Sequence, residues 1–148
     1  MSSSETMNKG ATKAGNGNYI YDLAEQIRMD TGPGYSTAEG PVVEGERTQV
    51  GLMTMKSGTG ARPHSHPNEQ WVYLIQGKVR AMIDNQPDQE ISSGTLLFFP
   101  AEVVHSIVAL PGEDVIFFTC KDMTHGIIGK AADGTMAGPY YEPGFEPK

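Results

Sequence analysis

One cysteine, Cys120, stands alone in the sequence, so no internal disulfide can close and the fold must be held by packing. A lone thiol suits a reducing compartment. Positive charge is scarce as well: 11 Lys and Arg face 18 Asp and Glu, for a net charge of −7. With a pI near 5.0 and no run of basic residues, a surface for nucleic-acid phosphates is excluded. Long apolar runs are missing too, since no segment approaches the ~20 residues that a membrane helix needs. The opening "MSSSETMNKGATKAGNGN" has no apolar centre and is not a secretory signal. The absences together describe a soluble, cytoplasmic protein with neither a nucleic acid nor a membrane as partner.

Helical periodicity is also thin. The best helical stretch is "YDLAEQIRM", Tyr21 to Met29, where Leu23 and Ile27 lie four apart and "DTGPG" ends whatever precedes it; a short strand fits there nearly as well. From Arg47 onward the pattern has a period of two. "TQVGLMTMK", "QWVYLIQ", "KVRAMID", "GTLLFFP", "VVHSIVAL" and "DVIFFTC" are apolar or alternating runs, most of them separated by glycine or proline. Glycine (18) and proline (10) are plentiful, as many turns between short strands require. The chain reads as all-β, an antiparallel sandwich or barrel. Its 148 residues fit one domain. Residues 1–18 are expected as a flexible tail or an arm ordered by a partner subunit. Residues 19–148 form the single domain, with a barrel core over about 47–120. Residues 121–148 have no clear period and are expected to pack over the barrel or cover its mouth.

Two of the four histidines lie in "RPHSHPNEQWVYLIQG". Residues two apart on an extended segment share a face, so His64 and His66 point the same way, together with Asn68 and Gln70 if the alternation persists. Two imidazoles on one face point toward a metal rather than a satisfied core histidine. His105 opens a further strand, after "GTLLFFPAEVV". Glu69 points to the opposite face and reaches the same site only through a bulge at Pro67.

These residues resemble the cupins. The first cupin motif is matched by Gly58, His64, His66, Gln70 and Gly77, with Gln in the place of Glu. The second is matched by Gly94, Pro100 and His105, with Glu102 at a usual glycine and Ala109 at a usual asparagine. The likeness covers roughly Thr48 to Cys120. It implies a cupin-type jelly-roll β-barrel with a short N-terminal helix or arm, usually dimeric. It also implies one divalent metal ion (Zn, Fe(II), Mn, Ni or Co) on His64, His66, Gln70 and His105. Three imidazoles and a carboxamide leave such an ion near +2, where a carboxylate would leave it near +1. That favours Lewis-acid work over redox cycling. The resemblance therefore leads to an enzyme acting on a small oxygenated acid, sugar acid or carbonyl compound as an isomerase or lyase. An Fe(II)-dependent dioxygenase cleaving a carbon–carbon bond and a non-catalytic small-molecule-binding cupin are the alternatives.

Other residues are secondary candidates. Arg62 and Gln49 are placed to contact a substrate, the guanidinium by gripping a carboxylate. Glu102 and His125 are candidates for proton transfer. Trp71 and Tyr73, opposite in parity to Gln70, are expected between sheets or at a homodimer interface.

Overall fold

A computed structural model describes residues 5–148. Among these residues the regular structure is fourteen short strands and one 3₁₀ turn, with no α-helix. In chain order the strands begin with β1 (Thr12–Lys13), β2 (Arg28–Asp30), β3 (Glu39–Glu44), β4 (Thr48–Met55), β5 (Thr59–Gly60), β6 (His64–Ser65) and β7 (Gln70–Gln76). They continue with β8 (Lys78–Ile83), β9 (Gln89–Ser92), β10 (Leu96–Phe99), β11 (His105–Ala109), β12 (Val115–Asp122), β13 (Lys130–Ala131) and β14 (Tyr140–Tyr141).

The first sheet runs β1-β3-β4-β12-β7-β10, with β2 also on β3. In the second, β11 is central: β5 and β6 lie along one edge of it and β8 then β9 along the other, while β13 and β14 extend β6 and β5. Every pairing between strands is antiparallel except that of β1 with β3. The molecule is all-β and antiparallel, as the sequence pattern indicates, and it is the jelly roll that the family resemblance implies.

Alternation drives the closure. On β4, β7 and β12 every second residue is buried, and the inward set includes Met53, Met55, Val72, Leu74, Val115 and Phe117. Each such side chain contributes about 1.5–3 kcal/mol on leaving water. Gly77, at φ 87, carries the chain from β7 of one sheet into β8 of the other through a single residue. A Cβ there would stand 2.9 Å from a Val115 methyl, so both conformation and space select glycine.

The helix expected over Tyr21 to Met29 is only a 3₁₀ turn, Leu23–Glu25, capped by Asp22, followed by the strand β2. Ile27 is 67% exposed, so the stretch has no apolar face to bury, and a short helix without packing is marginal. Of the tail expected over 1–18, residues 1–4 lie outside the described residues. The remainder lies against the barrel: β1 pairs with β3, and Asn8 is buried. The fully buried Glu44 carboxylate accepts from the Met7 and Asn8 backbone N–H groups (2.8 and 2.7 Å) and from Asn8 Nδ2 (2.6 Å). Asn8 Oδ1 accepts from Ile127 N at 2.7 Å, tying this arm to the loop after β12. The C-terminal segment supplies β13 and β14 to the second sheet.

Candidate functional site

His64 on β6 and His105 on β11 are directly opposite in an antiparallel pair, so their side chains share the inner face. The alternation continues past the end of β6: His64, His66, Asn68 and Gln70 are buried, while Pro67 and Glu69 are exposed. Gln70 opens β7, which belongs to the other sheet. The four polar side chains therefore meet across the two sheets. Ring centroids lie 4.5 Å apart for His64 and His105, 4.9 Å for His66 and His105, and 6.3 Å for His64 and His66.

Each ring is fixed through Nδ1 by a backbone carbonyl two residues away. The distances are 2.8 Å from His64 to Arg62 O, 3.0 Å from His66 to Asn68 O, and 2.9 Å from His105 to Val103 O. Tyr35 stacks on His64 at 4.1 Å and Phe99 on His105 at 4.0 Å. This leaves the Nε2 atoms to face inward. His105 Nε2 is buried with no hydrogen-bond partner. His66 Nε2 faces Gln70 Oε1 at 2.9 Å. That oxygen is held in place because Gln70 Nε2 donates to Thr119 Oγ1 (2.8 Å), whose hydroxyl donates to Trp71 O (2.9 Å).

Burial keeps the three rings neutral. It lowers the His64 pKa to about 3 and that of His66 to about 4, with the Lys121 charge adding to the effect in both. It lowers that of His105 to about 2, with His64 adding to it. A neutral imidazole has one N–H, yet both nitrogens of His66 face oxygen acceptors. Whichever tautomer forms, one lone pair points at another across about 3 Å. Among the described residues no group of three or more His, Cys, Asp or Glu side chains already meets the spacing of a bound-ion cluster. The donor set here is three imidazoles and an amide.

Beside it is a small cavity lined by Tyr35, His64, Gln70, His105 and Lys121 among mostly apolar side chains. Lys121 faces inward next to Gln70, its partner in the β12–β7 ladder, and donates to Ile127 O at 2.6 Å. Burial lowers its pKa to about 7, against the pull of Asp122. Sequence reading missed Lys121 because it ended the strand at Cys120; extending the alternation of Val115, Phe117 and Thr119 by one step would have placed it inside. Tyr35 left no local signal, since a turn after β2 brings it to His64.

Comparison with known proteins follows the same division of the chain. The family described as "Cupin domain" matches residues 51–120. The polyketide cyclase RemF from Streptomyces resistomycificus superposes with a TM-score of 0.62 at 18% identity, over 70% of this chain and 78% of that one. Residues 51–120 of the chain are a cupin domain. A structure of Bacillus subtilis oxalate decarboxylase is similar at 30% identity and a TM-score of 0.48, over 52% of this cupin; the match spans only 21% of that longer chain. No curated protein sequence matches this cupin.

The other candidate residues of this cupin are engaged away from the rings. Gln49 is fully buried, but its amide donates to Asp122 O and His125 O and accepts from Asn8, fixing the loop after β12. Asn68 Nδ2 donates to the same two carbonyls. Arg62 reaches Gly138 O, Asp133 and Gly34 O, clamping the C-terminal segment. Glu102 and His125 are exposed; His125 Nε2 lies against Ile128 O. Glu69 faces outward, its N–H donating to Asp122.

Proposed function

We propose that this cupin is a metal-dependent enzyme acting on a small oxygenated acid, sugar acid or carbonyl compound by isomerase or lyase chemistry. In this reading His64, His66, Gln70 and His105 hold one divalent ion, and the protein works as a cytoplasmic homodimer. The observation that carries the reading is the contact between His66 Nε2 and Gln70 Oε1. When Nδ1–H donates to Asn68 O, Nε2 and Gln70 Oε1 present two lone pairs to each other at 2.9 Å, and a cation that accepts both would explain that arrangement. That separation also suits two neighbouring donors each roughly 2.0–2.1 Å from one ion. His105 Nε2, buried and without a partner, is a third donor waiting for the same acceptor. The Nδ1 bonds to backbone carbonyls are the outer partners that ligating histidines characteristically have.

Nitrogen and amide-oxygen donors suit Zn, Fe(II), Mn, Co or Ni, without choosing among them. Because all four donors are neutral, the ion keeps its full double charge. Bound there, it supplies Lewis acidity, stabilising negative charge that develops on a substrate oxygen. The chain's own residues do the rest. Thr119 orients the Gln70 amide, Tyr35 and Phe99 fix the ring planes, and the apolar walls from Met53, Met55 and Phe117 exclude water.

Elemental analysis tests the assignment. Protein purified without chelator is expected to carry about one divalent ion per chain, and the His64→Ala/His105→Ala double variant to carry none. Equal metal in the two proteins overturns it. Turnover of a carbonyl acid under anaerobic conditions, with no oxygen uptake in air, is the expected kinetic signature; obligatory oxygen consumption would replace this chemistry with the dioxygenase reaction.

A further inference from the structure

We propose that the cavity is built for an anion, and that the Lys121 ammonium holds the carboxylate of a small 2-oxo or 2-hydroxy acid beside the four-donor set. The proposal rests on the metal reading for the substrate's second anchor, the oxygen on the neighbouring carbon, but not for the first.

Lys121 is 5% exposed, on the inward face of β12, directly opposite Gln70. Opposed residues in an antiparallel pair are roughly 4.5–5.5 Å apart at Cα, so the lysine stem rises alongside a member of the donor set. An ammonium has three N–H donors, and Ile127 O accepts from one. Among the described residues it forms no ion pair. The adjacent Asp122 is turned away, its oxygens accepting from Thr124 and Glu69 N. None of the described residues lining the cavity is acidic.

A buried ammonium without a counter-charge is costly, and its one hydrogen bond to Ile127 O leaves two N–H donors for a ligand. With a divalent ion on four neutral donors, the cavity would hold only positive charge. Its ligand must therefore bring the negative charge. A carboxylate matches Lys121, and an oxygen one carbon away would face the imidazoles and amide. Much of the remaining wall, Met53, Met55, Ile107, Phe117 and Ile127, is apolar, and Thr31, Ser36 and Thr119 add hydroxyls to it. The apolar part suits a short hydrocarbon tail, so a small acid with an apolar remainder fits the cavity.

The test uses the full chain loaded with Co(II), whose visible spectrum reports on the ion, with 2-oxobutyrate and its uncharged amide as probes. Calorimetric titration of wild type is expected to show clear preference for the acid over the amide. Lys121→Met is expected to retain the same Co(II) content and a cooperative melt, yet bind the acid about 10- to 100-fold more weakly, with the amide unchanged. Should that variant not fold, Lys121→Gln replaces it. Equal affinity of variant and wild type for the acid, equal weakening for acid and amide, or no acid preference in wild type overturns the proposal. If wild type retains no Co(II), the metal reading fails by itself, and titration of the metal-free protein decides on Lys121. Acid preference that depends on the lysine then upholds the anion site, and its absence overturns it.

Discussion

Glu102 has φ 67, in the left-handed region that side chains rarely enter. Its N–H donates to His66 O at 2.8 Å, so the turn cannot relax without disturbing the loop that carries a histidine of the site. In the motif this chain resembles, the position is glycine, and the backbone shows the physical reason. Glu102→Gly is expected to raise stability by about 0.5–1 kcal/mol, read as a higher urea midpoint at unchanged slope. Stability that stays level or falls would mean that the strain is compensated elsewhere. The convergence of His64, His66, Gln70 and His105 was legible because a period of two survives past the end of β6. The destinations of Gln49 and Arg62 were not. Gln49 bonds to carbonyls 73 and 76 residues away, and Arg62 to a segment more than 70 residues on. Local spacing contains no information about either.

At the scale of elements, β6 and β11 place neutral histidines where the unfolded chain would charge them. Folded-state pKa values of about 3 (His64), 4 (His66) and 2 (His105) lie below the ordinary value of 6.5. Between those limits the unfolded chain binds more protons than the folded one, so the stability these groups allow above pH 6.5 is lost as pH falls toward 4. The slope is at most roughly 1.4 kcal/mol per pH unit for each histidine. Metal-free wild type is therefore expected to lose stability between pH 6.5 and 4.5 more steeply than His64→Gln/His105→Gln. Urea titrations at stepped pH measure it, and parallel profiles would refute it. Strands were the most legible elements, since β4, β7, β8, β10 and β12 follow apolar runs between turn residues. Their ends were less so. One further inward step on β12 hid Lys121, and a possible helix at Tyr21 to Met29 became a turn because nothing apolar awaited its second face.

On the whole molecule, the two sheets seal their inner faces against each other and leave one outer face apolar. Trp71 and Tyr73 of β7 stand beside Phe98 and Leu96 of β10, their partners in register, and Phe118 of β12 flanks Tyr73. All five side chains are exposed in the single chain, and the Trp71 and Phe98 rings lie 4.6 Å apart. Sequence parity set Trp71 and Tyr73 opposite to Gln70, between sheets or at a homodimer interface, and their exposure removes the first of these. A contiguous aromatic patch of this kind is expected to be buried by association, and β10 at the sheet's edge lets a second copy approach without obstruction. The expected species in sedimentation is therefore a dimer, at twice 16.0 kDa. Phe98→Glu would place a carboxylate in the centre of that contact and shift the mass to a single chain, with metal content unaffected because the inner face is untouched. Trp71 is the only tryptophan, so its emission reports on this face alone. It is expected to move to the red on dilution of wild type, and to be red-shifted at every concentration in Phe98→Glu. A wild type that sediments as one chain, with emission independent of concentration, would show that the face is not a homodimer contact.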